Sequence, residues 1–307
     1  MRTSLAALGL IATVMTGCAS SQSAGVSLLP GHNAVPAVVA APTPAATPKP
    51  YRWPGLQPPA GFAWIPLAGS KYYAKATTDH GLITLLWMDQ SHLKFRYVPG
   101  FAYPEASPRT VADTNPNTWV PTMVAAFDGA FKLADHVGGY YYLGNTVSPL
   151  LPGYATLVVY KDGSIRLGKW GRDLHFTSNM WMVRENLPPF VDHGVPQTRS
   201  TDTYRTWGFT FNYRWLVNRS ALGQLADGSL VFAYGHNVRP STVADVLAAA
   251  GARFAIDLDM NGYFPGGFTY RHSGINTIGA RLNPYVVHSP SIYFKVYQKD
   301  FFAVEPR

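Results

Sequence analysis

The chain has 307 residues, with 25 Lys plus Arg against 17 Asp plus Glu and a formal charge of +8 at neutral pH. That charge is spread without a dense Lys/Arg run, which excludes a dedicated nucleic-acid surface; it is matched instead to anionic polymers or phosphate-bearing glycans, or equally to general solubility. One cysteine excludes an internal disulfide framework, and no period of solenoid length recurs.

At the start, Arg2 supplies a positive charge, an apolar stretch runs from Leu5 to Met15, and small residues lead into Cys18. The stretch falls short of the roughly 20 residues that a membrane-spanning helix needs, so residues 1–17 read as a secretory signal. The run Met15-Thr16-Gly17-Cys18 resembles the lipobox of bacterial lipoproteins. It implies acylation at Cys18, an exported domain, and a lipid anchor in a membrane of the bacterial cell envelope. Ala19 gives no Asp-type retention signal. Residues 18–50 are dominated by Ala, Ser, Pro and Val; they cannot bury enough apolar surface to fold and read as an extended tether.

From Tyr51 to Arg307 aromatics become frequent and glycines are spread throughout, as expected of one large domain with a substantial core. Thr156–Tyr160 and Ser164–Gly168 flank an Asp-Gly turn and predict a hairpin. Ser220–Leu225 and Ser229–Tyr234 do the same around Asp227-Gly228, and Ser291–Val296 reads as a further strand. One helix is clear: it follows Pro240, takes Ser241 or Thr242 as its N-cap, sets Val243, Val246, Leu247 and Ala250 on one face, and stops at Gly251. The class is therefore α+β, with strand-rich mixed β-sheets and a few helices. Ser229–Tyr234, the helix and Arg253–Asp259 form one β-α-β unit near residues 229–259.

The stretch from Arg253 to Gly262 carries the most chemistry. Alternation along a strand sends Phe254, Ile256, Leu258 and Met260 to one face and Ala255, Asp257, Asp259 and Asn261 to the other. Carboxylates on an interior strand need a cation, hydrogen-bond donors or a shared proton. If the two strands of the β-α-β unit are parallel, their carboxyl ends bring His236, Asp259 and Asn261 to one edge, where ligands bind in open α/β sheets. Asp257 with Asp259 is the one candidate for a hard divalent cation. The scattered His80, His92 and His193 give no metal-ligand spacing.

At these residues the chain resembles the phosphodiester glycosidase family, of the uncovering-enzyme type. The resemblance rests on Arg219-Ser220-Ala221-Leu222-Gly223, the strand and helix that follow, and Leu258-Asp259-Met260-Asn261-Gly262. Upstream, Phe127-Asp128-Gly129-Ala130-Phe131-Lys132 is similar to the family's Asn-Gly-Gly-Phe loop, with Gly138-Gly139-Tyr140 after it. Arg184-Glu185-Asn186-Leu187, before Val191-Asp192, is similar to a further block. The match covers about 121–262. It departs from the family at Asp128 for Asn, at Ala130 for Gly, and at Met260-Asn261 for Gly-Gly, which limits how closely a sugar or phosphate can approach the backbone.

The resemblance implies hydrolysis of sugar-1-phosphate diesters at the glycosidic carbon. In that chemistry Asp259 or Asp128 stabilises positive charge at the sugar ring or activates water. Arg184 and Arg219 hold phosphate oxygens, with Lys132 as a further substrate contact. His236 donates a proton or orients the phosphate, and Asn186 and Asn261 recognise sugar hydroxyls. Two other readings stay open: a lipoprotein that binds an anionic glycan without catalysis, and a phosphodiesterase that cleaves P–O bonds with a divalent cation.

Overall fold

The computed structural model describes residues 56–67, 71–78, 81–198, 204–208, 214 and 216–307. The expected signal, Cys18, the tether and the domain start at Tyr51 lie outside the described residues.

Three sheets carry the fold. The first has eight strands, in the order β1 (Ile65–Leu67), β2 (Lys71–Thr78), β3 (Gly81–Met88), β14 (Leu230–Val238), β13 (Val217–Leu225), β15 (Ala252–Met260), β11 (Val191–Asp192) and β12 (Val195–Pro196). The second is ordered β7 (Asn145–Ser148), β6 (Tyr140–Tyr142), β10 (Met180–Glu185), β8 (Ala155–Tyr160) and β9 (Ile165–Lys169). The third is ordered β17 (Asn276–Arg281), β16 (Gly267–Ser273), β5 (Ala125–Asp128), β18 (Phe301–Pro306) and β4 (Leu93–Val98). Two α-helices, α1 (Tyr204–Trp207) and α2 (Pro240–Ala249), and four short 3-10 helices complete the regular structure among the described residues.

The two Asp-Gly hairpins form, with Thr156 opposite Gly168 and Leu222 opposite Phe232. Each turn puts its glycine at positive φ, 78° at Gly163 and 84° at Gly228, where a side chain is strained. Each also has its aspartate accept the backbone N–H two residues on, at 2.9 Å from Ser164 and from Ser229.

Every ladder in the three sheets is antiparallel, not mixed as the sequence suggested. The reason is visible around α2. Strands β14 and β15 run in the same direction, but β13 lies between them and pairs antiparallel with both.

The first sheet is covered on both faces, so its strands read as continuous apolar runs. Phe232, Tyr234, Ile256 and Leu258 enter the main core, which they share with Phe127 and Phe302 of the third sheet and Tyr142 and Leu157 of the second. Val231, Ala233 and Ala221 pack on the other side with Val243, Ala244 and Leu247 of α2. Gly223 sets how close that helix can come: a Cβ there would lie 2.9 Å from the Ala252 Cβ and 3.3 Å from Leu247.

Two local expectations are corrected. Helix α2 takes Pro240 as its first turn and Arg239 as its N-cap, because proline's fixed φ suits the first helical position and Ser241 and Thr242 are already inside the helix. The predicted strand at Ser291–Val296 is a 3-10 turn over Pro290–Phe294. The Ser289 side chain accepts from the Ser291 N–H, and Pro290 starts the turn.

Candidate active site

Three strand ends from distant parts of the chain converge. Strand β5 ends at Asp128, which lies opposite Phe301 of β18. The two residues before Phe301 are Lys299 and Asp300. Beside them, β15 ends in Asp259-Met260, paired to Ser220 and Arg219 of β13.

The pairing of β15 with β13 contains a bulge. Ser220 is opposite Asp259 and Ala221 is opposite Asp257, so Leu258 is an extra residue with no partner on β13. A bulge re-aims side chains, and the expected common face of Asp257 and Asp259 does not survive it. Asp257 lies beside Arg219, 3.6 Å from Nη1, whereas the Lys299 ammonium donates to Asp259 Oδ2. The other Asp259 oxygen accepts from the Met260 N–H at 2.7 Å and the Asn261 amide at 3.3 Å. The Ser220 hydroxyl links the remaining carboxylate: it accepts from the Asp259 N–H and donates to Asp128, whose second oxygen accepts from Gly266 N–H at 2.9 Å.

A cleft of about 1110 Å³ opens over this group, with Asp259, Lys299, Asn261, Lys132, His236 and Tyr285 on its walls. Of the residues singled out from sequence, Asp259, His236, Asn261 and Lys132 face the cleft. Asp128, Arg184, Asn186, Arg219 and Asp257 are buried behind it.

Arg184 donates to the Phe131 carbonyl and lies over the Tyr140 ring, while Arg219 donates to the Trp207 carbonyl at 3.0 Å. The Asn186 amide donates to the carbonyls of Asp257 and Leu258. Asn261 Oδ1 is occupied by the N–H groups of Tyr263 and Phe264. Lys132 sits 4.5 Å above the Tyr103 ring. His236 stacks on Tyr285 with centroids 3.7 Å apart, and its Nδ1 is 2.8 Å from Asn218 Oδ1. The Asn237 N–H also approaches that Asn218 atom, which must therefore be the oxygen, so Nδ1 carries the proton and Nε2 the lone pair.

The two upstream motifs meet here as well. Glu185 accepts from Gly139 N–H at 2.6 Å and Leu151 N–H at 2.9 Å. Gly138 permits that approach, since a Cβ would fall 2.5 Å from the Glu185 Cβ. The Gly-Gly pair and the Arg-Glu-Asn-Leu block thus fasten one cleft wall to β10.

Burial shapes the protonation of the cluster. It pushes Asp128 well above the usual carboxylate range, reinforced by the charge of Asp259 and opposed by the hydroxyl and N–H it accepts. It raises Asp257 to about 8 against the pull of Arg219, and Asp300 to about 6 against Arg184 and Lys299. Asp259 is also raised by burial, with Lys299 as the main opposing influence. At neutral pH Asp257 holds its proton. Asp128, Asp259 and Asp300 lie among the basic side chains of Arg184, Arg219 and Lys299. Burial lowers His236, so its ring is neutral at pH 7.

No protein-family profile matches the chain, and no curated protein matches it. Among solved structures, the zebrafish N-acetylglucosamine-1-phosphodiester alpha-N-acetylglucosaminidase catalytic domain, auto-inhibited by its pro-peptide, is similar at a TM-score of 0.48 and 15% identity. That match covers 82% of this chain and 87% of the zebrafish one. A hypothetical protein from Synechocystis is similar at a TM-score of 0.41 and 10% identity, over 78% of this chain and 62% of its own. A putative exported protein from Burkholderia pseudomallei follows at 0.34 and 12%, over 76% and 74%.

The donor set does not fit the divalent cation considered for Asp257 and Asp259. Each carboxyl faces a protein cation, and no group of three metal-ligating side chains occurs among the described residues. Sequence reasoning passed over Lys299, Asp300 and Ser220. The first two carried a signal: a charged pair wedged between the aromatic runs Tyr293–Tyr297 and Phe301-Phe302. Ser220 carried none, since its role depends on the bulge.

Proposed function

We propose that the chain is a hydrolase that cleaves the glycosidic bond of sugar-1-phosphate diesters in glycans, releasing free sugar and a phosphomonoester. The observation that carries this reading is the Asp259–Lys299 ion pair on the cleft wall, with the buried carboxyl of Asp128 one hydroxyl away. As the bond from the anomeric carbon to the phosphate oxygen breaks, its electron pair leaves with the phosphate and positive charge grows on the ring. An ionised Asp259 stabilises that charge or takes the proton of the attacking water, and Lys299 keeps it ionised in a buried setting. The phosphate needs little acid help to depart. Lys299 and Lys132 on the cleft wall favour an anionic substrate.

The decisive experiment incubates the full-length protein with a panel of sugar-1-phosphate diesters and separates the products. Free reducing sugar with an equal amount of phosphomonoester is expected. Sugar phosphate, lost on chelation, would instead indicate P–O cleavage by a metal enzyme. Binding of a phosphoglycan without turnover would leave a non-catalytic glycan-binding lipoprotein.

The placement of this activity follows from the lipobox-like run. We infer that Cys18 is acylated and that the protein is tethered to the bacterial cell envelope. Labelled palmitate is expected in the wild type expressed in a bacterium and absent from Cys18→Ser, which should leave the membrane fraction. Equal labelling of both would overturn the anchor.

A further inference from the structure

The block Arg184–Leu187 touches both walls of the cleft. Toward the loop at 131–139, Arg184 holds the Phe131 carbonyl, and backbone bonds run from Glu185 N–H to Gly139 at 3.0 Å and from Leu187 N–H to Val137 at 2.7 Å. Toward β15 a single side chain reaches across. Asn186 is fully buried, and its amide nitrogen lies 2.7 Å from the Asp257 carbonyl and 3.0 Å from the Leu258 carbonyl.

These two carbonyls belong to the bulge. Leu258 is the residue that β13 leaves unpaired, and a buried backbone carbonyl without a donor is costly. Asn186 supplies that donor from a different sheet. An amide is suited to the task because one nitrogen carries two N–H groups and serves both carbonyls at once.

We propose that Asn186 is the positioning residue of this site: by donating to the Asp257 and Leu258 carbonyls it fixes the bulge that directs Asp259 to Lys299 and Asp257 to Arg219. Without it, restoring regular alternation would return both carboxyls to one face and separate Asp259 from Lys299. In this role Asn186 makes no contact with a sugar hydroxyl.

The test follows Asp259 itself, so it stands whether or not the proposed hydrolysis is correct. Carboxyl carbon-13 resonances of aspartate-labelled full-length protein are titrated in the wild type, Asn186→Ala and the isosteric Asn186→Asp. The groups acting on the Asp259 carboxyl are Lys299, the Met260 N–H, Asn261, and the acidic groups Asp128, Asp135, Asp257, Asp300 and Tyr297. Of these, Lys299 is the one withdrawn when the bulge is lost.

The Asp259 midpoint is expected to rise by about one pH unit or more in Asn186→Ala. Asn186→Asp offers at most one O–H in place of two N–H groups, so its Asp259 midpoint should also lie above that of the wild type. If turnover is present, kcat should fall on the order of a hundredfold with KM nearly unchanged. An Asp259 midpoint that stays in place in a folded variant would overturn the proposal. So would a loss confined to KM, which is the mark of a substrate contact.

Discussion

Replacing Asp259 with asparagine is expected to lower kcat/KM on sugar-1-phosphate diesters by about a thousandfold or more, a loss of roughly 4 kcal/mol of transition-state stabilisation. The substitution is nearly isosteric. Its carbonyl can still accept from Met260 N–H and Asn261, as the aspartate does. In the proposed reaction, what it removes is the negative charge that faces a ring turning positive as the bond breaks. It also leaves Lys299 buried without its counter-ion, so the double variant Asp259→Asn, Lys299→Met should accompany it and near-ultraviolet circular dichroism should confirm folding. A folded Asp259→Asn protein retaining a tenth of wild-type activity would remove this carboxylate from the chemistry.

The second large effect concerns stability. Asp257 titrates at about 8 in the fold against an ordinary value of 3.8, so the native state holds a proton that the unfolded chain releases between those limits. The sign follows: stability is greatest below about pH 4 and is lost as pH rises toward 8, by on the order of 5 kcal/mol for this group. Asp257→Asn keeps the neutral shape and removes the titration. Its Tm should match the wild type near pH 4 and exceed it by at least several degrees at pH 8. A wild-type Tm that rises over this window relative to the variant would show that Arg219 holds Asp257 ionised instead.

Local signals in the sequence survived folding, and long-range ones did not. The two Asp-Gly hairpins and the helix after Pro240 are set by neighbours a few residues apart, and they form where the residues place them. The insertion of β13 between β14 and β15 involves three separate segments, and alternation says nothing about which strand lies next to which. The bulge at Leu258 was equally hidden. It adds one residue to a perfectly alternating pattern, so the sequence put Asp257 and Asp259 together where the fold divides them. The expected strand–helix–strand unit drew His236, Asp259 and Asn261 to one edge and the family resemblance added Lys132, while Lys299 arrives only through the pairing of β18 with β5.

That pairing has a consequence for how the molecule assembles. Strand β18 fills the slot between β5 and β4, so the third sheet joins segments from opposite ends of the domain. The hairpins can close early and locally, but this sheet must wait until residues 301–306 are available, a long-range step of the kind that slows folding. Until then β4 and β5 each present an open edge, and Tyr97 and Phe127 lack the Phe302 ring that they pack against. The same late strand delivers Lys299. A partly synthesised chain therefore has no completed ion pair at Asp259: closure of the sheet and assembly of the site are one event.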